Sequence, residues 1–286
     1  MKIFIQADKL SAYITELRAR DKSVGFIPTM GALHQGHMSL IHRAKSENDI
    51  SICSIFVNPT QFNEESDLDK YPRTLAEDIT LLIENNNDIL FWPTVAEMYP
   101  SDLATDIELD LEGLDTLMEG AFRPGHFAGV AQVVKRLLDI TNPHRLYMGQ
   151  KDFQQFSIVS KMIKDLDINV ENVSCEIIRE ESGLAMSSRN RRLDPEIKSK
   201  ASLLYKTLRE AKATISSMQP SEISKWAMQT MDVPDFKPEY FTIVDGYNLQ
   251  AIESFEAHDF VVACTAVWAG EVRLIDNMIL KEPKSA

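Results

Sequence analysis

Two imidazoles three residues apart open the chemical inventory of this chain: His34 and His37, in the run Pro28-Thr29-Met30-Gly31-Ala32-Leu33-His34-Gln35-Gly36-His37. They sit in a stretch, 23–42, that holds no Asp, Glu, Lys or Arg. An apolar run precedes them, and a helical pattern carried by Met38, Leu40 and Ile41 follows. Strand, glycine-containing turn and helix N-terminus make a geometry suited to phosphate, because amides and the helix dipole point at one place. Residues i and i+3 share a helix face, so both rings could donate to oxygens that gain charge during displacement at phosphorus. The alternative is a structural loop with two capping histidines. The Walker spacing is absent, which excludes a P-loop ATPase.

A second group is cationic. Met186-Ser187-Ser188-Arg189-Asn190-Arg191-Arg192 places three arginines within four residues of a chain whose net charge is −13. Hydroxyls, amides and a guanidinium can grip a triphosphate, although a charge run can also be a solvated surface. A third group, Gly149-Gln150-Lys151-Asp152-Phe153-Gln154-Gln155, follows the apolar run Arg145–Met148. There Lys151 supplies a point charge, Asp152 and Gln155 can bind hydroxyls or carboxylates, and Asp152 could also cap the next helix. Asn58-Pro59-Thr60-Gln61-Phe62 and Arg123-Pro124-Gly125-His126 are weaker polar clusters. Asp78 lies between Leu75 and Leu82 on the buried side of its helix. Either Mg²⁺ or the helix dipole would account for that carboxylate.

These groups need a scaffold. Strands are predicted at Val24–Ile27, Ile50–Val57, Asp88–Phe91, Arg145–Met148 and Val170–Ile178. One-sided helical stripes lie between them, on Leu10, Ile14 and Leu17, on Leu75, Ile79, Leu82 and Ile83, and on Val130, Val133, Val134, Leu137 and Leu138. Strands alternating with helices imply a mainly parallel sheet in an α/β domain, with ligands at the strands' carboxyl ends. Past Arg179 the pattern changes to helices at about 196–216 and 221–231, then strands at Tyr240–Val244, Phe260–Trp268 and Val272–Ile279. The last two are expected to form a hairpin through Ala269-Gly270-Glu271. This divides the chain into 1–180 and a smaller α+β domain, 181–286, that carries the Ser187–Asn190 loop at its start.

At 44% hydrophobic and 26% charged, the composition is that of a globular protein. The acidic balance argues against nucleic-acid and anionic-membrane partners. No signal peptide is expected from MKIFIQADKL, and a cytoplasmic protein with reduced, buried Cys53, Cys175 and Cys264 is the reading.

Taken in order, PTMGALHQGH, FVNPTQF, YPRTLAED, EGAFRPGHF, GQKDFQQ, MSSRN and RLIDN closely resemble the pantothenate synthetase (pantoate–β-alanine ligase) family, from Pro28 to Asn277. The His-x-Gly-His element alone marks only the wider nucleotidyltransferase superfamily. One departure is Gln150, where the family pattern carries Glu; a solvent-facing side chain would make that exchange cheap. Another is Glu271-Val272 ahead of RLIDN, expected to lie away from the chemistry.

The resemblance implies a Rossmann-like N-terminal domain, a homodimer, Mg²⁺, and ATP-dependent joining of pantoate to β-alanine through a pantoyl-adenylate. By motif position, Met30, Gly31, Ala32, Leu33, His34, Gln35, Gly36 and His37 would line the ATP site, with His37 acting on the phosphate. Gly149, Gln150, Lys151 and Asp152 would hold ribose and phosphates, the backbone of Ile178 would face adenine, and Met186, Ser187, Ser188 and Arg189 would close on the phosphates. Lys151 and Arg189 join the histidines as catalytic residues. Gln61, Gln155, Asn58, Met30 and Phe62 would bind pantoate or β-alanine, and Asp78 would support the metal. The rivals are a nucleotidyltransferase with a stable nucleotidyl product and a non-catalytic ATP-binding sensor.

Overall fold

The central strand, β2 (Val24–Thr29), runs past Pro28, two residues beyond its predicted end. Proline is tolerated there because β2 pairs with β5 (Arg145–Gly149) only through Gly25 and Phe26, so the missing N–H falls where that ladder has ended. On its other side β2 pairs along its whole length with β3 (Ile50–Ile55). β4 (Ile89–Phe91) and β6 (Glu171–Cys175) extend the sheet outward, and β1 (Lys2–Phe4), too short to show a period, pairs with β4. The order is β1-β4-β3-β2-β5-β6, parallel at every pairing. The chain leaves β2 in one direction and returns on its other side at β5, so the strand order reverses between them. A doubly wound sheet offers its crevice at that point.

The computed structural model describes residues 1–62, 68–102 and 107–283. The chain forms two compact units. The first is Met1–Asp115, Arg123–Gly149 and Ile158–Glu176; the second is Thr116–Phe122, Gln150–Ser157 and Ile177–Ala286. In the first unit, the helix Gln35–Glu47 packs on β2, β3 and β5 through Met38, Leu40, Ile41 and Ala44. These join Ile27, Leu33, Leu82, Leu90 and the fully buried Tyr147 in one core.

The second unit is built on an antiparallel sheet, β7 (Phe236–Asp245), β8 (Val261–Ala269) and β9 (Val272–Lys281). Its last hairpin closes over Gly270-Glu271, with Gly270 in the left-handed region at φ 57°. The helical stretch predicted at about 196–216 is two helices, Pro195–Lys200 and Leu203–Thr214. With Pro220–Met231 they bury Leu204, Leu208, Ile223 and Met231 against Phe241, Ile243, Val261 and Val267. Arg273 of β9 is held between Glu119 (Nη1–Oε2 2.6 Å) and Glu239 (Nε–Oε2 2.7 Å).

All three cysteines are buried and unpaired. Burial pushes the Cys53 thiol up to about 12 and raises Cys175 and Cys264 as well. Among the described residues no helix is long and apolar enough to cross a membrane.

Candidate active site

In the first unit, the carboxyl end of β2 leads into two successive left-handed residues, Gly31 (φ 83°) and Ala32 (φ 49°). Glycine meets the first demand freely, and a Cβ there would sit 3.1 Å from Asp78 Oδ2. Alanine does not, so Ala32 is strained and something must hold it. Asp78 does so: its Oδ2 accepts from the Ala32 amide (2.9 Å), its Oδ1 from the Leu33 amide (2.7 Å) and from Thr74 Oγ1 (3.2 Å). This carboxylate is 1% exposed and both oxygens are engaged. Asp78, expected to support Mg²⁺, thus also braces the loop. Among the described residues no three His, Cys, Asp or Glu side chains gather where they could hold a metal ion.

The two histidines follow. His34 is the N-cap of the helix Gln35–Glu47, with its Nδ1 accepting from the Gly36 amide (3.2 Å). His37 Nδ1 accepts from the His34 amide (3.3 Å), completing a capping box. The capping alternative is thus real, and the first-turn amide of Gly36 is engaged by the cap itself. The same bonds have a chemical consequence. An Nδ1 that accepts carries no proton, which puts the proton of each neutral ring on Nε2. The cap assigns both rings as Nε2–H donors, with centroids 4.1 Å apart. Gln35 is exposed, while His34, Gly36 and His37 are half-buried.

Beside this loop, at the end of β3, Asn58 and Gln61 are buried. Gln61 Nε2 lies 3.1 Å from Met30 Sδ, so an amide and a thioether share one wall. Asn58 Nδ2 donates to Gln61 Oε1 (3.3 Å), and Tyr99 Oη donates to Asn58 Oδ1 (2.9 Å). Behind the turn, His126 Nδ1 donates to the Gln61 carbonyl (2.7 Å) while its Nε2 accepts from Arg123 (3.1 Å). The helix His126–Thr141 approaches so closely that a Cβ on Gly129 would lie 2.5 Å from the Thr60 carbonyl oxygen. Phe62 is half-buried and meets the Tyr71 ring edge-on at 5.8 Å. Gly149 ends β5.

The remaining predicted residues belong to the second unit. Lys151 and Asp152 lie in the short turn Gln150–Asp152, with Lys151 Nζ 3.6 Å from Asp152 Oδ1. Gln150 does not face solvent as expected: its Nε2 donates to Asn277 Oδ1 (3.1 Å). Adjacent glutamines divide their roles. Gln154 is buried with both ends used, on the Glu119 amide (2.9 Å) and the Leu117 carbonyl (2.8 Å), and Gln155 is half-exposed.

Ile178 pairs its carbonyl with the Met186 amide (2.9 Å), closing a small hairpin. Ser187 then caps the turn Ser188–Arg192, accepting from the Arg189 amide (3.3 Å). Asn190, 4% exposed, pins that turn by donating to Glu180 Oε1 (2.9 Å) and the Ala185 carbonyl (3.0 Å). Arg189 is half-buried and Arg191 exposed, so the basic run is not one uniform solvated surface. At the hairpin's base Arg179 grips Asp276 (Nη1–Oδ2 2.6 Å, Nη2–Oδ1 3.0 Å) and lies 4.0 Å from the Tyr205 ring centroid. Tyr99, Asp276 and Asn277 were not selected from sequence, because their partners are remote in the chain.

The profile of the pantoate-beta-alanine ligase family matches residues 2–279. A pantothenate synthetase of Bacteroides thetaiotaomicron is 48% identical over 99% of this chain and 100% of its own length. The crystal structure of pantothenate synthetase from Thermus thermophilus superposes with a TM-score of 0.91 at 39% identity, covering 99% of this chain and 100% of that one. Pantoate-beta-alanine ligase from Francisella tularensis, crystallised with beta-gamma ATP and beta-alanine, gives a TM-score of 0.81 at 37% identity over the full length of both chains.

Proposed function

The chain belongs to the pantoate-beta-alanine ligase family, and from that premise we propose how its residues join pantoate to β-alanine with ATP. The reaction forms an amide in two steps. A pantoate carboxylate oxygen attacks the α-phosphorus of ATP and pyrophosphate leaves. The β-alanine amine then attacks the acyl carbon of pantoyl-adenylate, and AMP leaves with the C–O bond electrons.

The first step brings an anion onto a polyanion, so its barrier is electrostatic. The observation that carries our reading is the capping box, in which the Nδ1 atoms of His34 and His37 accept from backbone amides and leave Nε2–H as the donor of each ring at the carboxyl end of β2. Neutral donors stabilise charge on the phosphoryl oxygens without holding the pyrophosphate product as tightly as cations would. Each such donor is worth ~3–4 kcal/mol of barrier. Lys151 and Arg189 supply the positive charge, Ser187 and Ser188 supply hydroxyls, and Gly149, Gln150 and Asp152 hold the ribose and phosphates. The backbone of Ile178 faces adenine, and Met186 leads the Ser187–Arg189 segment onto the phosphates.

Gln61 and Met30 together suit pantoate, the thioether against its geminal methyls and the amide on its hydroxyl or carboxylate. Asn58 orients that amide, Phe62 adds apolar surface, and Gln155 takes the acid's polar end. The second step needs a neutral amine beside the acyl carbon, and much of its rate comes from such positioning. Mg²⁺ enters this scheme as the partner of the ATP phosphates, with Asp78 as its support on the protein side, and no step above is routed through it. A cytoplasmic homodimer completes the proposal and rests on the family resemblance.

The test is pantoate-dependent exchange of labelled pyrophosphate into ATP in the absence of β-alanine. Exchange that requires pantoate supports the adenylate route. ATP binding without exchange would overturn it.

A further inference from the structure

The run Arg273–Asn277 in β9 carries two consecutive buried polar residues, Asp276 at 3% exposure and Asn277 at 1%. Neighbours on a strand point to opposite faces, so this pair can hold two different segments. Asp276 takes Arg179 and also accepts from the Asn277 amide (2.8 Å), which fixes the backbone at that point. Asn277 reaches the Gln150–Asp152 turn. Its Nδ2 donates to the carbonyls of Gln150 (2.9 Å) and Lys151 (2.8 Å), and its Oδ1 accepts from Gln150 Nε2 (3.1 Å). Both amide hydrogens and the amide oxygen are thus committed to one turn. Reversing the amide would set oxygen against two carbonyl oxygens, so the clamp has a single orientation.

We propose that Asn277 is a positioning residue for adenylate formation: it locks the peptide units on both sides of the Lys151 Cα and so aims the Lys151 ammonium. The inference rests on Lys151 being a phosphate ligand, as proposed above. Lysine brings a point charge on a flexible stem. Fixing the two peptide planes at its root removes backbone freedom that would otherwise be lost on binding the nucleotide, without Asn277 itself touching substrate. A residue acting in this way should matter while the triphosphate is present and cease to matter once pyrophosphate has left.

The experiment is a double-mutant cycle on the intact chain with two readouts. One is pantoate-dependent pyrophosphate exchange into ATP; the other is single-turnover amide formation when β-alanine is added to enzyme-bound pantoyl-adenylate. Asn277→Ala should slow exchange ten- to a hundred-fold and change amide formation less than threefold. In a Lys151→Ala background it should cost less than a further twofold. Unchanged exchange, equal slowing of both half-reactions, or full additivity with Lys151→Ala would each overturn the proposal. Wild-type exchange by Lys151→Ala alone would remove its premise, a result distinct from additivity. Should Asn277→Ala fail to fold, Asn277→Ser repeats the test with a side chain that keeps a polar group on β9. Its hydroxyl is too short to hold both the Gln150 and the Lys151 carbonyls. A three- to tenfold loss of exchange with normal amide formation supports the clamp, and wild-type exchange overturns it.

Discussion

The loop after β2 and the turn after β5 meet the same mechanical demand with opposite hydrogen-bond polarity. In the first, a buried carboxylate, Asp78, accepts from two consecutive amides, Ala32 and Leu33. In the second, a buried carboxamide, Asn277, donates to two consecutive carbonyls, Gln150 and Lys151. The functional groups differ in step. The first loop presents imidazoles whose Nδ1 atoms are engaged by backbone amides. The second presents an ammonium. A carboxylate brace suits a loop that carries no Lys or Arg, whereas the turn after β5 already sets Asp152 beside Lys151 and takes a neutral amide as its brace.

This contrast can be broken experimentally. The largest effects are expected from His37→Ala and Lys151→Ala, each lowering the adenylation rate roughly 10²–10³-fold by removing a transition-state contact. They should part company over salt. The KM for ATP of the wild type and of His37→Ala should rise with ionic strength, and that of Lys151→Ala much less, because only the charged contact is screened. Equal salt slopes in all three proteins would erase the distinction between neutral and charged regions.

Next in size is Asp78→Ala, which orphans two buried amides and releases a strained residue. It should cost about 3 kcal/mol of unfolding free energy in urea titrations. A variant of unaltered stability that needs more Mg²⁺ would instead show metal support to be its main work. Gln61→Ala should raise the KM for pantoate about tenfold, worth ~1.4 kcal/mol, and leave that for ATP within twofold. Parallel loss of both would mean that the wall shared with Met30 has collapsed.

The smallest effect concerns Glu47, at the far end of the helix capped by His34. Its carboxyl is held below the usual range by Arg43 (Nε–Oε1 2.9 Å) and by the Tyr147 hydroxyl (Oη–Oε2 2.8 Å). A depressed value means stability present above the ordinary glutamate value of 4.5 and lost as pH falls through the lowered one. Glu47→Gln should therefore lose less than ~1 kcal/mol at neutral pH and converge on the wild type in acid. A difference that persists at low pH would exclude the charge as its cause.

What the residues announce in advance depends on how far their partners lie along the chain. His34 and His37 are legible because three-residue spacing on a helix start is local, and β3 and β5 because apolar residues dominate their short runs. Proline hides the end of β2, since only the unpaired side of its ladder makes Pro28 acceptable. β1 spans three residues, below any usable period. The parallel sheet and the antiparallel C-terminal sheet follow the expected alternation and hairpin. The work of Asp78 was not legible, because its amide partners lie 46 and 45 residues away and a carboxylate on the inner side of a helix reads equally as a cation ligand. Asn277 is further still, 127 and 126 residues from the carbonyls it grips, and the same distance hid the partner of Gln150.

The burial of Cys53, Cys175 and Cys264 leaves the native chain silent to thiol-directed reagents, because raised thiol values and closed packing both suppress the reactive thiolate. A single cysteine introduced at exposed Arg191 would be labelled against an empty background. A fluorophore or spin label there could follow the Ser188–Arg192 turn through nucleotide binding and release without first removing any native sulfur.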